Sequence, residues 1–176
     1  LTVAGRRMPI HVMHPNEMEL CNFDETDFSG SIHYLGDGSL TNTNGLALKN
    51  SLALLDMDCV DNYYDLLCDG VKGFIFIEPE RNTFQLVKGK LLWNPINVPR
   101  YMLRRKDALW LKEQLASNRD ALTYRAEVEP NRWQAALPRN VWCFVKGGDP
   151  ELSEQVLIVK GSLDTFNICP GLPAGG

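Results

Sequence analysis

The residues with which this chain could do chemistry are few: three histidines, five cysteines, one dense run of acids and one basic group. His11, His14 and His33 all lie in the first fifth of the sequence, so an imidazole site would have to be built from that end. His11-Val-Met-His14 places two rings three residues apart, a spacing that sends them to opposite faces of a strand and argues against a shared metal. Asp56-Met-Asp58-Cys-Val-Asp61 is the densest acid group. A calcium loop of the EF-hand type needs an acid or amide at its fifth position and glycine at its sixth, where this chain has Val60 and Asp61. The acids therefore read as caps and dipole partners of a helix. Arg100, Arg104, Arg105 and Lys106, with Tyr101 and Trp110 nearby, have the composition to grip a phosphate or an acidic partner, but Asp107 and Glu113 beside them favour a solvated helix start. Ser39, Ser117 and Ser162 lack the G-x-S-x-G setting of a nucleophile elbow. Gly147-Gly148 runs into Asp149-Pro150 and makes a turn, not a phosphate cradle.

The cysteines, Cys21, Cys59, Cys68, Cys143 and Cys169, contain no C-x-x-C pair, and their odd number leaves at least one thiol without an intrachain partner. The whole chain has 176 residues, 44% of them hydrophobic, with 18 basic and 22 acidic residues giving a net charge of −4. That is apolar matter enough for a core without metal or disulfide staples. The mildly acidic balance provides no field to draw the chain onto nucleic acid or anionic lipid. No apolar stretch approaches the roughly 18 residues of a membrane span.

The elements that must position these residues are short. Apolar runs bounded by Gly, Pro and Asn predict strands over Met8–Met13, Gly30–Leu35, Ser51–Asp56, Lys72–Glu78, Tyr101–Leu103, Leu122–Val128, Asn140–Lys146 and Gln155–Lys160. Lys72–Glu78 is apolar at nearly every position and predicts a strand buried on both faces. Val60, Tyr63, Tyr64, Leu67 and Cys68 fall at helical spacing between a capping Asp58 and a terminating Gly70. Ala108, Leu111 and Leu115 mark a second helix over Arg104–Asn118. The pattern predicts a mixed sheet with helices packed on it. By residues alone this is a β-rich domain with no assembled active site, which favours a binding or accessory module.

Several segments, taken in order, carry a resemblance. Val71-Lys-Gly-Phe-Ile-Phe-Ile-Glu-Pro79 after a helix, Asn97-Val-Pro-Arg100 before a strand and a helix, and Arg139-Asn-Val-Trp-Cys-Phe-Val-Lys-Gly-Gly-Asp-Pro-Glu151 resemble a protease-associated domain placed before a two-zinc aminopeptidase domain. Arg7-Met-Pro-Ile-His-Val-Met-His-Pro-Asn16 and Ile32-His-Tyr-Leu-Gly-Asp-Gly-Ser39 are similar to its bacterial envelope branch. The resemblance implies an α+β fold, a protease-associated-domain-like mixed β-sheet or β-sandwich flanked by two helices. It assigns residues 1–153 to that domain and 154–176 to a stub like the first strand and loop of the peptidase.

In this family the strand and loop matching Val156–Thr165 and Cys169–Gly175 supply a zinc-ligating histidine and an orienting aspartate. Here Ser162 stands at the histidine position and Asp164 keeps that of the acid. A serine hydroxyl is a poor replacement for imidazole on zinc, and without the full ligand set there is no two-metal clamp. The resemblance thus implies no catalytic residue and no metal or cofactor in this chain, with zinc present only if a complete peptidase domain exists. It implies a lid-like accessory module that shapes substrate access or binds a protein or peptide, with Asn94, Asn97 and Arg100 as the contact region. No nucleic acid or membrane span is expected. A membrane-associated complex and a cell-envelope or extracellular location fit the same resemblance. The alternative is the N-terminal part of an active or degenerate metallo-aminopeptidase whose metal site lies on a continuation or a separate chain.

Overall fold

Two runs in which nearly every residue is apolar make the centre of the structure, because strands buried on both faces need no polar side. The computed structural model describes residues 1–13, 21–23, 25–81, 90, 97–117, 122–130, 135, 137, 140–152 and 154–160. In chain order its strands are β1 (Thr2–Val3), β2 (Arg6–Arg7), β3 (Ile10–Val12), β4 (Asp27–Tyr34), β5 (Ser51–Asp56), β6 (Val71–Ile77), β7 (Arg100–Leu103) and β8 (Leu122–Glu127). They form one sheet in the order β2-β1-β8-β4-β5-β6-β7-β3. β4, β5, β6 and β7 run parallel to one another, while β8, β1 and β2 at one side and β3 at the other pair antiparallel.

The two-residue period of the strands sorts the core into two layers. Ala53, Leu55, Phe74, Phe76 and Met102 point to one face, where Leu35, Tyr63 and Leu66 cover them. Leu52, Leu54, Ile75, Ile77, Tyr101 and Leu103 point to the other, where the single α-helix among the described residues, α1 (Arg105–Ser117), lays down Ala108 and Leu111. Tyr124 and Ala126 carry that second layer onto β8, whose alternate residues are exposed.

The expected sandwich flanked by two helices is therefore corrected to one curled mixed sheet with a single α-helix among the described residues. The expected first helix is a five-residue 3-10 turn, Tyr63–Leu67. Tyr63 and Leu66 are buried while Val60 and Tyr64 are exposed, and a burial period of three is that of a 3-10 turn. Asp58 caps nothing; Asn62 precedes the turn and donates to Asp65 Oδ2 at 2.8 Å. Gly70 ends the segment at φ +95°, where a Cβ would lie 2.9 Å from Lys49 Cα.

Two more differences follow from pairing. The strands expected over Asn140–Lys146 and Gln155–Lys160 are not formed; these residues carry neither helix nor strand. A hairpin of β1 and β2 appears where no strand was expected, turning through Ala4 and Gly5, both at positive φ. The described sheet and its core lie within Leu1–Asn131, and Arg132–Leu163 forms a separate unit.

Candidate functional site

Of the three expected contact residues, Asn94 lies outside the described residues, Asn97 is exposed, and Arg100 has 0% of its surface exposed. Arg100 opens β7, with its backbone N–H donating to the Cys21 carbonyl at 3.0 Å. Its guanidinium donates from Nη2 to Cys21 Sγ at 2.8 Å and from Nη1 to the Tyr63 hydroxyl at 3.5 Å. The Tyr63 hydroxyl in turn donates to the Lys90 carbonyl at 3.3 Å, and Lys90 Nζ reaches the Cys59 carbonyl at 2.8 Å. Burial pushes the Tyr63 phenol up to about 12 against the pull of Arg100, so it stays neutral and can act as both donor and acceptor. Burial likewise pushes the Cys59 thiol up. Arg100 thus ties the start of β7 to Cys21 and to the Tyr63 turn.

The histidines do not converge. β3 and β4, which hold His11 and His33, are separated by β7, β6 and β5 in the sheet, a distance of roughly 19 Å at about 4.8 Å per strand. His14, like Ser162 and Asp164, lies outside the described residues. His33 is buried, and burial lowers its pKa against a hydrogen bond with the Ala47 backbone.

The carboxyl ends of parallel strands are where such sheets present open crevices. Here a cleft of about 350 Å³ lies past β5 and β6, lined by Asp56, Asp58, Glu78, Glu80 and Arg105 with Ile77 among its apolar walls. Glu78 Oε2 accepts the backbone N–H of Arg105 at 3.1 Å, a carboxylate at the positive end of α1. Asp56 Oδ2 accepts from the Tyr34 hydroxyl at 2.5 Å, and Tyr34 accepts from Lys112 Nζ at 2.6 Å. Burial, with the Asp56 carboxylate beside it, raises the Tyr34 phenol; the bond to Tyr34 raises Lys112. Tyr34 and Lys112 were not singled out from sequence, since 78 residues separate them. Among the described residues no three His, Cys, Asp or Glu side chains come close enough to hold a metal ion.

The second unit is of a different character. Val141-Trp142-Cys143-Phe144-Val145 and Val156-Leu157-Ile158-Val159 lie open to solvent, Trp142 at 86% and Leu157 at 89% exposure. Gln155 N–H donates to the Leu152 carbonyl at 2.9 Å and Glu151 N–H to Asp149 Oδ1 at 2.8 Å, so the bonded backbone sits in the turn between the runs. Isolated exposed apolar residues are ordinary; two contiguous runs are not.

No family model and no curated protein matches the sequence. Among solved structures, the chain is similar to an aminopeptidase from Aneurinibacillus sp. strain AM-1, with 13% sequence identity and a TM-score of 0.44, over 72% of this chain. It spans 31% of the length of that enzyme chain. No helix among the described residues is long and apolar enough to cross a membrane.

Proposed function

We propose that the chain is a non-catalytic accessory and protein-interaction module, related to the protease-associated domains that stand beside zinc aminopeptidase sites, and that it shapes substrate access or binds a partner there. The observation that carries the interaction role is the pair of exposed apolar runs, 141–145 and 156–159. Surface of that kind leaves water when a protein covers it, which makes it a binding surface. The sequence resemblance supplies the peptidase context and, with it, an envelope or extracellular setting. Among the described residues of the contact region, Asn97 faces solvent. By the resemblance, Ser162 stands where the family has its first zinc-ligating histidine while Asp164 keeps the orienting acid, so the module itself is proposed to work without metal.

The test is zinc content and peptidase activity of the purified chain. We expect less than one zinc per ten chains after incubation with the metal, and no release of product from aminoacyl-nitroanilide substrates above the rate in buffer. Stoichiometric zinc together with hydrolysis would overturn the accessory reading.

A further inference from the structure

We infer that Cys59 and Lys90 form a modification site: under a peroxide the Cys59 sulfur bonds covalently to the Lys90 side-chain nitrogen, and that bond pins the connection between β6 and β7 to the segment that follows β5. The pair is 31 residues apart in sequence, and the fold buries both, Cys59 with 4% and Lys90 with 3% of its surface exposed. Lys90 Nζ donates to the Cys59 carbonyl at 2.8 Å and lies 5.4 Å from the centre of the Tyr63 ring, while the Tyr63 hydroxyl donates to the Lys90 carbonyl at 3.3 Å. Both ends of the lysine are therefore held. A lysine removed from water ordinarily keeps a carboxylate beside it. Lys90 makes no ion pair among the described residues, and the acidic side chain that it hydrogen-bonds is the Cys59 thiol. Burial raises that thiol, and the charge and hydrogen bond of Lys90 draw it back down. Once the pair loses one proton, the proton that remains rests on sulfur or on nitrogen, and either arrangement leaves a nucleophile facing its neighbour.

The chemistry needs hydrogen peroxide and nothing else. The thiolate attacks one peroxide oxygen, the O–O bond breaks, and the other oxygen leaves as hydroxide and takes up a proton to become water, which makes the sulfur a sulfenic acid. The lone pair of the neutral Lys90 amine then attacks that sulfur. The S–O bond breaks as the S–N bond forms, and the departing hydroxide carries off the proton that nitrogen gives up, as a second water. Sulfur has lost two electrons and the peroxide has gained them. A sulfenic acid condenses with a backbone nitrogen in the same way, and an amine is the better nucleophile. Burial slows the first step, but it also shuts out the large external thiols that cap an exposed sulfenic acid. The other buried thiol, Cys21, is engaged elsewhere, since Arg100 Nη2 donates to its sulfur at 2.8 Å. Arg100 meets Tyr63 at its hydroxyl, while Lys90 lies over the Tyr63 ring. The nitrogen already hydrogen-bonded to the Cys59 sulfur is therefore the one placed to capture it.

Mass spectrometry of the full chain tests the bond. In a background of Cys68→Ser, Cys143→Ser and Cys169→Ser, the folded protein is treated with hydrogen peroxide, quenched with catalase, then denatured in excess maleimide. The chain should lose about 2 Da, the mass of the two hydrogens removed, and take up one maleimide, at Cys21, where the untreated chain takes two. Digestion with trypsin without reductant should join peptides 50–72 and 89–100, and dithiothreitol should part them and restore the second maleimide. Lys90→Arg and Lys90→Gln should instead gain about 16 or 32 Da on Cys59, the acids further up the oxidation ladder. The peptide map of the parent decides the matter even where a lysine variant fails to fold. A disulfide joining Cys59 to Cys21, a parent chain that gains oxygen without joining the two peptides, or the same joined peptides formed equally well when peroxide is added to the urea-unfolded chain each overturns the inference.

Discussion

A guanidinium removed from water needs hydrogen bonds to compensate, and Arg100 donates one to each of two partners distant in sequence, Cys21 and Tyr63. Removing the phenol oxygen tests how much it relies on them. Tyr63→Phe should lower unfolding free energy by about 1–3 kcal/mol in urea titrations, since it strips a buried carbonyl acceptor, that of Lys90, and a charged donor, Arg100, of one partner each. His33 makes a different prediction. Its pKa in the folded state lies below that of the unfolded chain, so at mildly acidic pH the unfolded state binds more protons. The stability tied to a neutral His33 is complete above about pH 6.5 and falls as pH drops through the folded value. Chemical denaturation between pH 7.5 and 5 should show a loss in the parent chain that is smaller in His33→Gln. Sequence made the types of these residues plain, and Arg100 stood out as a candidate. Its burial depends on groups 79 and 37 residues away, and no local spacing encodes that.

At the scale of elements, close approach of backbones fixes β4 against the turn before β5. A Cβ on Gly30 would lie 2.5 Å from the Asn50 carbonyl oxygen, and one of the two segments must move. Gly30→Ala should therefore cost about 1–3 kcal/mol, the usual range for overpacking, read as a lowered thermal midpoint by circular dichroism. Strands with long apolar or alternating runs were legible: β5 falls on its expected bounds, and β6, β7, β8 and α1 within a residue or two. The segment from Asp58 to Gly70 was not. Over two turns, spacings of three and four residues fit a 3-10 turn as well as an α-helix, and the choice rests on which of them Phe74 and Phe76 can receive. The β1–β2 hairpin has strands of two residues each, too short for a periodicity to show.

For the whole molecule, all of the buried apolar residues described lie between Leu1 and Ala126. A chain ending at Asn131 should unfold in one cooperative step, with a thermal midpoint within about 4 °C of the full chain, a shift that corresponds to roughly 1 kcal/mol or less. A larger loss would mean that residues beyond 131 stabilise the sheet. The runs at 141–145 and 156–159 have the composition of strands, yet the structure forms none there; composition marks strand propensity, but a strand needs a neighbouring edge to pair with. The order of the sheet has a consequence for synthesis. β1 pairs with β8, Thr2 opposite Arg125, so among the described strands the one that comes first in the chain waits for the one that comes last. Until residue 127 emerges, Leu1, Val3 and Met8 have no β8 beside them. The nascent chain must carry β4 with an open edge until β8 is made, and only then can β1 and β2 join the sheet.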